Sequence, residues 1–260
     1  MSQVIIASDS TCDLSQELIQ CYQIHILPLG VSLGQKQFTD GVDITPDDIY
    51  AHYAATGELP KTSAVNIAQF DDFYREHTAD GSSIVLFTIS SDMSSTCSNA
   101  KIAAEEYENV FVVDSQNLST GSGLLVLAAA ELAAAGVPAK EIVQRCEEMI
   151  CRVDASFVVD DLEFLHKGGR CSAVAALGAN LLQLKPCITV KNGKMGVEKK
   201  YRGKFASVLE KYIAERIGDG TGIALDHVFV THAGCDQTIV EQCAAQVQVP
   251  IELFPAIHRQ

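Results

Sequence analysis

Short β-branched runs alternate with longer stretches of apolar residues at helical spacing along most of the chain. Residues 4–8, 24–33, 83–89 and 110–113 read as strands. Between them lie helical stretches over 14–21, 66–78 and from the Ser94–Thr96 region to about residue 107. A further helix opens at Pro46 behind Thr45, with Asp47 and Asp48 in its first turn, a strong start signal. Residues 118–135 are rich in Ala and Leu on all sides, which marks a helix buried around most of its circumference, and a second helix follows over 139–152. Strands and helices alternating at this spacing predict parallel βαβ units.

The texture changes after about residue 153. Residues 157–159 and 187–190 read as strands, and Asn192-Gly193 joins the latter to 196–201 as a hairpin. A helix over 206–217, a strand over 227–231, a helix over 238–247 and a strand over 251–254 follow. The expectation is an α/β protein of two domains: a parallel-sheet domain over 1–153 and a mixed α+β domain over 154–260. The boundary lies near 150–155. The segment Gly57–Ser63 and the segment Leu165–Arg170 read as loops.

Composition narrows the function classes. Thirty-three acidic residues against 19 basic ones leave a net charge of −14, a surface that phosphate backbones and anionic headgroups repel. Nucleic acid is therefore excluded as a partner, and membrane contact is at most transient. No apolar run approaches the roughly 18 residues a membrane helix needs, and the first residues lack a basic leader region, which predicts a cytoplasmic protein. Nine cysteines without a Cys-x-x-Cys pair read as reduced, small core residues.

Phosphate-loop, dinucleotide, nucleophile-elbow and zinc spacings are all missing from the sequence. What stands out is a set of hydroxyl-rich loops at the ends of predicted strands: Asp9-Ser10-Thr11, Ser90–Thr96 and Asp114-Ser115. In a parallel sheet the carboxyl ends of the strands open into one ligand-binding crevice. Ser94, Ser95 and Thr96 also stand at a helix start, where free amides favour an anion, although a serine there also serves as an ordinary cap. Hydroxyls and amides without an arginine fork suit a small carboxylate or phosphate. The other concentrated signal is Leu165-His166-Lys167-Gly168-Gly169-Arg170, a basic spot with two glycines on an acidic protein.

Taken in order, these segments resemble the DegV family of bacterial fatty-acid-binding proteins over nearly the whole chain. Ser8–Leu14 is similar to its Asp-Ser-Thr-x-Asp-Leu opening, Asp40–Ile44 to its Asp-Gly segment, and Pro60–Ser63 to its Lys-Thr-Ser segment. Ser90–Ala100 is similar to Ser-Ser-x-Leu-Ser-Gly-Thr-Tyr-x-x-Ala, and Val113–Ser115, Leu165–Arg170 and Lys185-Pro186 also match. The resemblance implies a long-chain fatty acid held between two α/β domains, with no other cofactor and no catalysis by the chain itself. It implies that the carboxylate meets Thr62, Ser94 and the amide of Ser95, with Arg170 near the headgroup. It further implies a separate ATP-dependent kinase subunit that converts the presented acid to an acyl-phosphate for phospholipid synthesis. Ser10, Ser115 and His232 are weaker binding candidates.

Two departures stand out. Ser95 occupies a position where the family usually has Gly. The family's His-x-Gly-Pro-Gly ending is not matched by Phe254–Gln260, so His258 is not carried over as its histidine. Either the chain continues further or this member closes its site differently. The alternative function is a phosphotransferase-like enzyme related to dihydroxyacetone kinases, using His232 or His166.

Overall fold

The computed structural model describes residues 3–172, 184–218, 220–224, 227–247 and 252–255. The chain divides into two compact units. One comprises the residues up to Asp154 together with Lys191–Lys194, and the other comprises Ala155–Val190 and the chain from Met195 onward.

The first unit is built on a parallel sheet of four strands. β1 (Val4–Asp9) lies between β2 (His25–Leu27) and β6 (Ser83–Thr88), and β7 (Val110–Asp114) pairs with the far edge of β6. β-branched and large apolar side chains dominate these strands because both faces are covered. On one face Ala7, Leu27, Ile84, Leu86 and Val110 pack with Phe70 and Tyr74 of α3 (Ile67–Thr78) and with Ala100 and Ala103 of α4 (Thr96–Ala104). The alternate residues Ile6, Val85 and Phe87 are buried as well. Against β1, β6 and β7 lie the Ala/Leu-rich α5 (Ser119–Ala134) and α6 (Ala139–Ile150). Helix α2 (Pro46–Thr56) starts with a full capping box between Thr45 and Asp48, as its sequence indicates.

Two sequence expectations fail in this unit for identifiable reasons. The apolar run 24–33 is not one strand. It ends as β2 at Leu27 and resumes as β3 (Gly30–Leu33) in a separate antiparallel sheet of order β4-β3-β5. Pro28 stands at the break, and without an N–H it cannot continue a hydrogen-bonded ladder. Lys61–Ser63, expected as loop, is strand β5, paired with Gly30–Ser32 opposite β4 (Lys36–Thr39). Three polar residues carry no hydrophobic alternation, so only the pairing partner reveals the strand.

The second unit holds a three-stranded sheet of order β10-β9-β8, formed by β8 (Ser156–Val158), β9 (Leu184–Lys191) and β10 (Lys194–Arg202). Asn192 and Gly193, both at positive φ, make the two-residue turn between the last two. A two-stranded parallel sheet joins β11 (Phe229–His232) to β12 (Glu252–Pro255). Helix α8 (Phe205–Ile217) follows β10 and α9 (Gln237–Gln246) connects β11 to β12, and the two helices pack through Ile213 and Cys243. The segment 165–170, expected as a loop, begins as the last turn of α7 (Glu163–Gly168), and Gly169 closes that helix at φ 71°. Six cysteines are buried as expected, but Cys21 and Cys151 are exposed at the ends of α1 (Gln16–Cys21) and α6, and Cys235 is half-buried. Among the described residues, no helix is long and apolar enough to cross a membrane.

Candidate functional site

The turn after β1 is a buried polar junction. Asp9 is wholly buried, and its carboxylate accepts from the Thr11 amide (3.1 Å), the Thr11 hydroxyl (2.6 Å) and the Ile89 amide (2.8 Å). Burial pushes this carboxyl up to about 6, against the pull of its three donors, and the Asp40 charge adds to the rise. Ser10 donates to Asp40 Oδ2 at 2.5 Å and accepts from the Leu29 amide at 3.1 Å. Both Ser10 and Asp40 are buried. The turn is pressed against α5 at Gly123, where a Cβ would stand 2.6 Å from the Cys12 carbonyl oxygen, so only glycine fits.

The loop leaving β6 carries the hydroxyls singled out by sequence. Ser91 is tied to the Asp114 carboxylate through its amide and its hydroxyl, the latter at 2.5 Å. The amides of Met93 and Ser94 both donate to the Ser90 carbonyl, which winds the loop into a tight turn. Ser94 is half-buried; its hydroxyl accepts from the Thr96 amide at 3.2 Å and lies 2.9 Å from the Thr96 hydroxyl. Ser94 therefore stands one residue before the N-cap Ser95 and accepts from the first amide of α4, and its oxygen keeps lone-pair capacity beyond that bond. Ser95 is the exposed residue preceding α4 and its side chain makes no cap hydrogen bond. Its amide has no hydrogen-bond partner among the described residues. A half-exposed hydroxyl beside an open amide at a helix start is an arrangement that accepts one oxygen pair of an anion.

Thr62 sits in the middle of β5, half-buried and paired with Val31 of β3. The chain just beyond it is tied to α4: Asn99 donates its side-chain amide to the Val65 carbonyl at 2.8 Å. Side-chain hydrogen bonds thus tie the Asp9–Thr11 turn to Ile89 at the exit of β6, and α4 to Val65 just past the strand of Thr62.

Other candidates stand elsewhere or are already engaged. Ser115 is fully buried, donating to the Asn117 carbonyl and accepting from the Asn117 amide, so its hydroxyl closes its own loop. Arg170 belongs to the second unit and is exposed; its guanidinium donates to the Gly168 carbonyl at 2.6 Å. His166 is exposed on α7. His232 ends β11 with a buried Nδ1 that has no hydrogen-bond partner among the described residues, and burial lowers its pKa. His258 lies outside the described residues. Among the described residues no cluster of three or more His, Cys, Asp or Glu forms a metal-binding group.

Asp9, Asp40 and Asn99 were not singled out individually by sequence. An Asp ending a strand that is otherwise apolar, and an Asp-Gly turn, were visible signals; the reach of Asn99 to Val65 was not.

The profile of the family described as "Uncharacterised protein, DegV family" matches residues 3–256. A DegV domain-containing protein of Staphylococcus aureus is 35 % identical over 222 residues, covering 84 % of this chain and 79 % of its own. One from Clostridium perfringens is 32 % identical over 205 residues, covering 78 % and 74 %. Among solved structures, a fatty-acid-binding DegV family protein from Thermus thermophilus superposes with a TM-score of 0.85 at 28 % identity, over 98 % of this chain and 92 % of that one. A stearic-acid-binding protein from Eubacterium ventriosum gives 0.81 at 27 % identity, over 97 % and 90 %. With a profile match across nearly its full length and relatives above 30 % identity, this chain belongs to the DegV family.

Proposed function

We propose that the protein binds a long-chain fatty acid and presents its carboxylate at Thr62, Ser94 and the Ser95 amide. The observation that carries this reading is the entrance to α4, where the Ser94 hydroxyl stands beside an amide with no partner among the described residues. Uncharged donors suit a carboxylate there, since they hydrogen-bond the charge without burying a second ion. The relatives described as fatty-acid-binding support the ligand class. Sequestering about 14 methylenes at about 0.8 kcal/mol each supplies about 11 kcal/mol before ordering costs, enough to hold a chain whose headgroup stays accessible.

In this reading the chain is a carrier and not the catalyst. A separate ATP-dependent kinase subunit receives the presented carboxylate and forms the acyl-phosphate, and the carrier works in the cytoplasm with at most transient membrane contact. In this reading Arg170 serves that step: an exposed guanidinium on an acidic protein is suited to steadying charge during phosphoryl transfer. Its bond to Gly168 supports the competing role of a local brace.

Mass spectrometry of the purified protein under native and then denaturing conditions tests the ligand class. The expected result is release of acids of about 14 to 20 carbons in near-stoichiometric amount. A polar ligand, or no lipid followed by failure to bind added fatty acid, refutes the reading.

A further inference from the structure

We propose that Asp9 is a positioning residue for the headgroup loop: its buried carboxylate fixes the exit of β6, and through it Ser94 and Ser95, against the turn that follows β1. The inference rests on the fatty-acid reading above and adds to it a residue that does not itself touch the ligand.

The geometry is specific. Ile89 is the first residue past β6 and the last before the hydroxyl loop, and its amide donates to Asp9 Oδ2 at 2.8 Å. From Ser90 the loop is rigid, since Ser94 and Met93 both bond back to the Ser90 carbonyl. Ile89 is thus one of the anchors of this loop, beside the bond of the Ser90 amide to the Asn117 carbonyl and that of Ser91 to Asp114. The other carboxylate oxygen is held by both donors of Thr11. Next to it Ser10 links Asp40 and the Leu29 amide, and Leu29 immediately precedes β3, the strand on which Thr62 of β5 is paired. One turn of the chain thus ties down both hydroxyl carriers.

Only a carboxylate does this with the atoms available. It accepts three hydrogen bonds on two oxygens, whereas a carboxamide has a single oxygen and must turn its NH2 toward either Ile89 or Thr11, both of which are donors. A charge wholly removed from water is costly to keep, and the nearby titratable groups do not relieve it. They are the Asp40 carboxyl and the Cys12 and Cys97 thiols, from the β4 exit, the turn and α4 respectively. A residue needed only for packing would be better served by a neutral side chain.

The test compares stearic acid with methyl stearate on wild type, Asp9→Asn, Ser94→Ala and the double variant, with thermal melting recorded for each. Asp9→Asn is expected to bind stearic acid about tenfold more weakly while binding the ester within twofold of wild type, as for loss of a hydrogen-bonded charge site. In the Ser94→Ala background the same substitution is expected to cost less than twofold, because the group it positions is gone. Equal losses for acid and ester, no loss at all, or full additivity with Ser94→Ala overturns the proposal. If Asp9→Asn does not fold, Thr11→Val removes the 2.6 Å donor while keeping the carboxylate. It is expected to give a loss of about threefold confined to the acid, and an equal loss for the ester overturns the proposal. A wild-type protein that takes up neither ligand overturns the carrier reading itself, and the inference falls with it.

Discussion

The turn after β1 and the end of α7 both look like ligand-binding punctuation in the sequence, and they are built in opposite ways. At the first, Asp9, Ser10 and Asp40 are buried, and their hydrogen bonds reach across 19, 30 and 80 residues of chain to Leu29, Asp40 and Ile89. At the second, Lys167 pairs with Glu163 one turn back, and Arg170 bonds the carbonyl two residues before it. A buried polar group must find a fixed partner, so it transmits position over distance. An exposed one is satisfied locally or by water and fixes little beyond itself. Composition alone, basic with glycines or acidic with hydroxyls, does not separate the two cases.

The largest expected effect breaks the first region mechanically. Gly123→Ala sets a methyl 2.6 Å from the Cys12 carbonyl, a backbone atom that cannot rotate away. We expect a loss of about 3 kcal/mol in unfolding free energy, read by urea denaturation. A variant as stable as wild type would mean that α5 is not pressed against this turn.

A smaller effect reads the buried charge. The Asp9 carboxyl sits at about 6 in the folded protein against an ordinary 3.8, so the native state favours its protonated form. Stability from this group is full below pH 4 and is lost as pH rises through about 6. Asp9→Asn lacks that loss, so between pH 4 and pH 6.5 it should gain on wild type by on the order of 1–2 kcal/mol. A difference independent of pH would show that Asp9 is not desolvated.

Ser115→Ala leaves the buried Asn117 amide without its acceptor. It should cost about 1 kcal/mol of stability and leave the preference for acid over ester unchanged. A changed preference would return Ser115 to the binding site. The smallest effect belongs to the second region: Arg170→Ala should change stability by less than about 0.5 kcal/mol and retain bound lipid, while kinase-coupled acyl-phosphate formation falls. Parallel losses of stability and lipid would make Arg170 a structural brace.

Much of the fold was legible because it follows from patterns that are local. The β-branched runs of β1, β6 and β7 gave the parallel sheet, the Thr45-Pro46 cap gave α2, and Asn192-Gly193 gave the hairpin. Pairings between distant segments were not legible. Pro28 interrupts an apolar run without saying that the chain changes sheets, and Lys61–Ser63 becomes a strand only because Gly30–Ser32 is there to pair with it. The same holds for the site. Ser94 was visible from its place at a helix start, whereas Thr62 came only from family resemblance. Asp9 emerged only once burial and the Ile89 bond were seen.

The proposal that Thr62 and Ser94 face a carboxylate is tested most directly by titrating stearic acid and methyl stearate into wild type, Thr62→Ala and Ser94→Ala. Each substitution should weaken the acid by roughly 1–3 kcal/mol, the cost of a hydrogen bond to a charged group, and leave the ester nearly unchanged. Equal losses for acid and ester, or none for either, would contradict it.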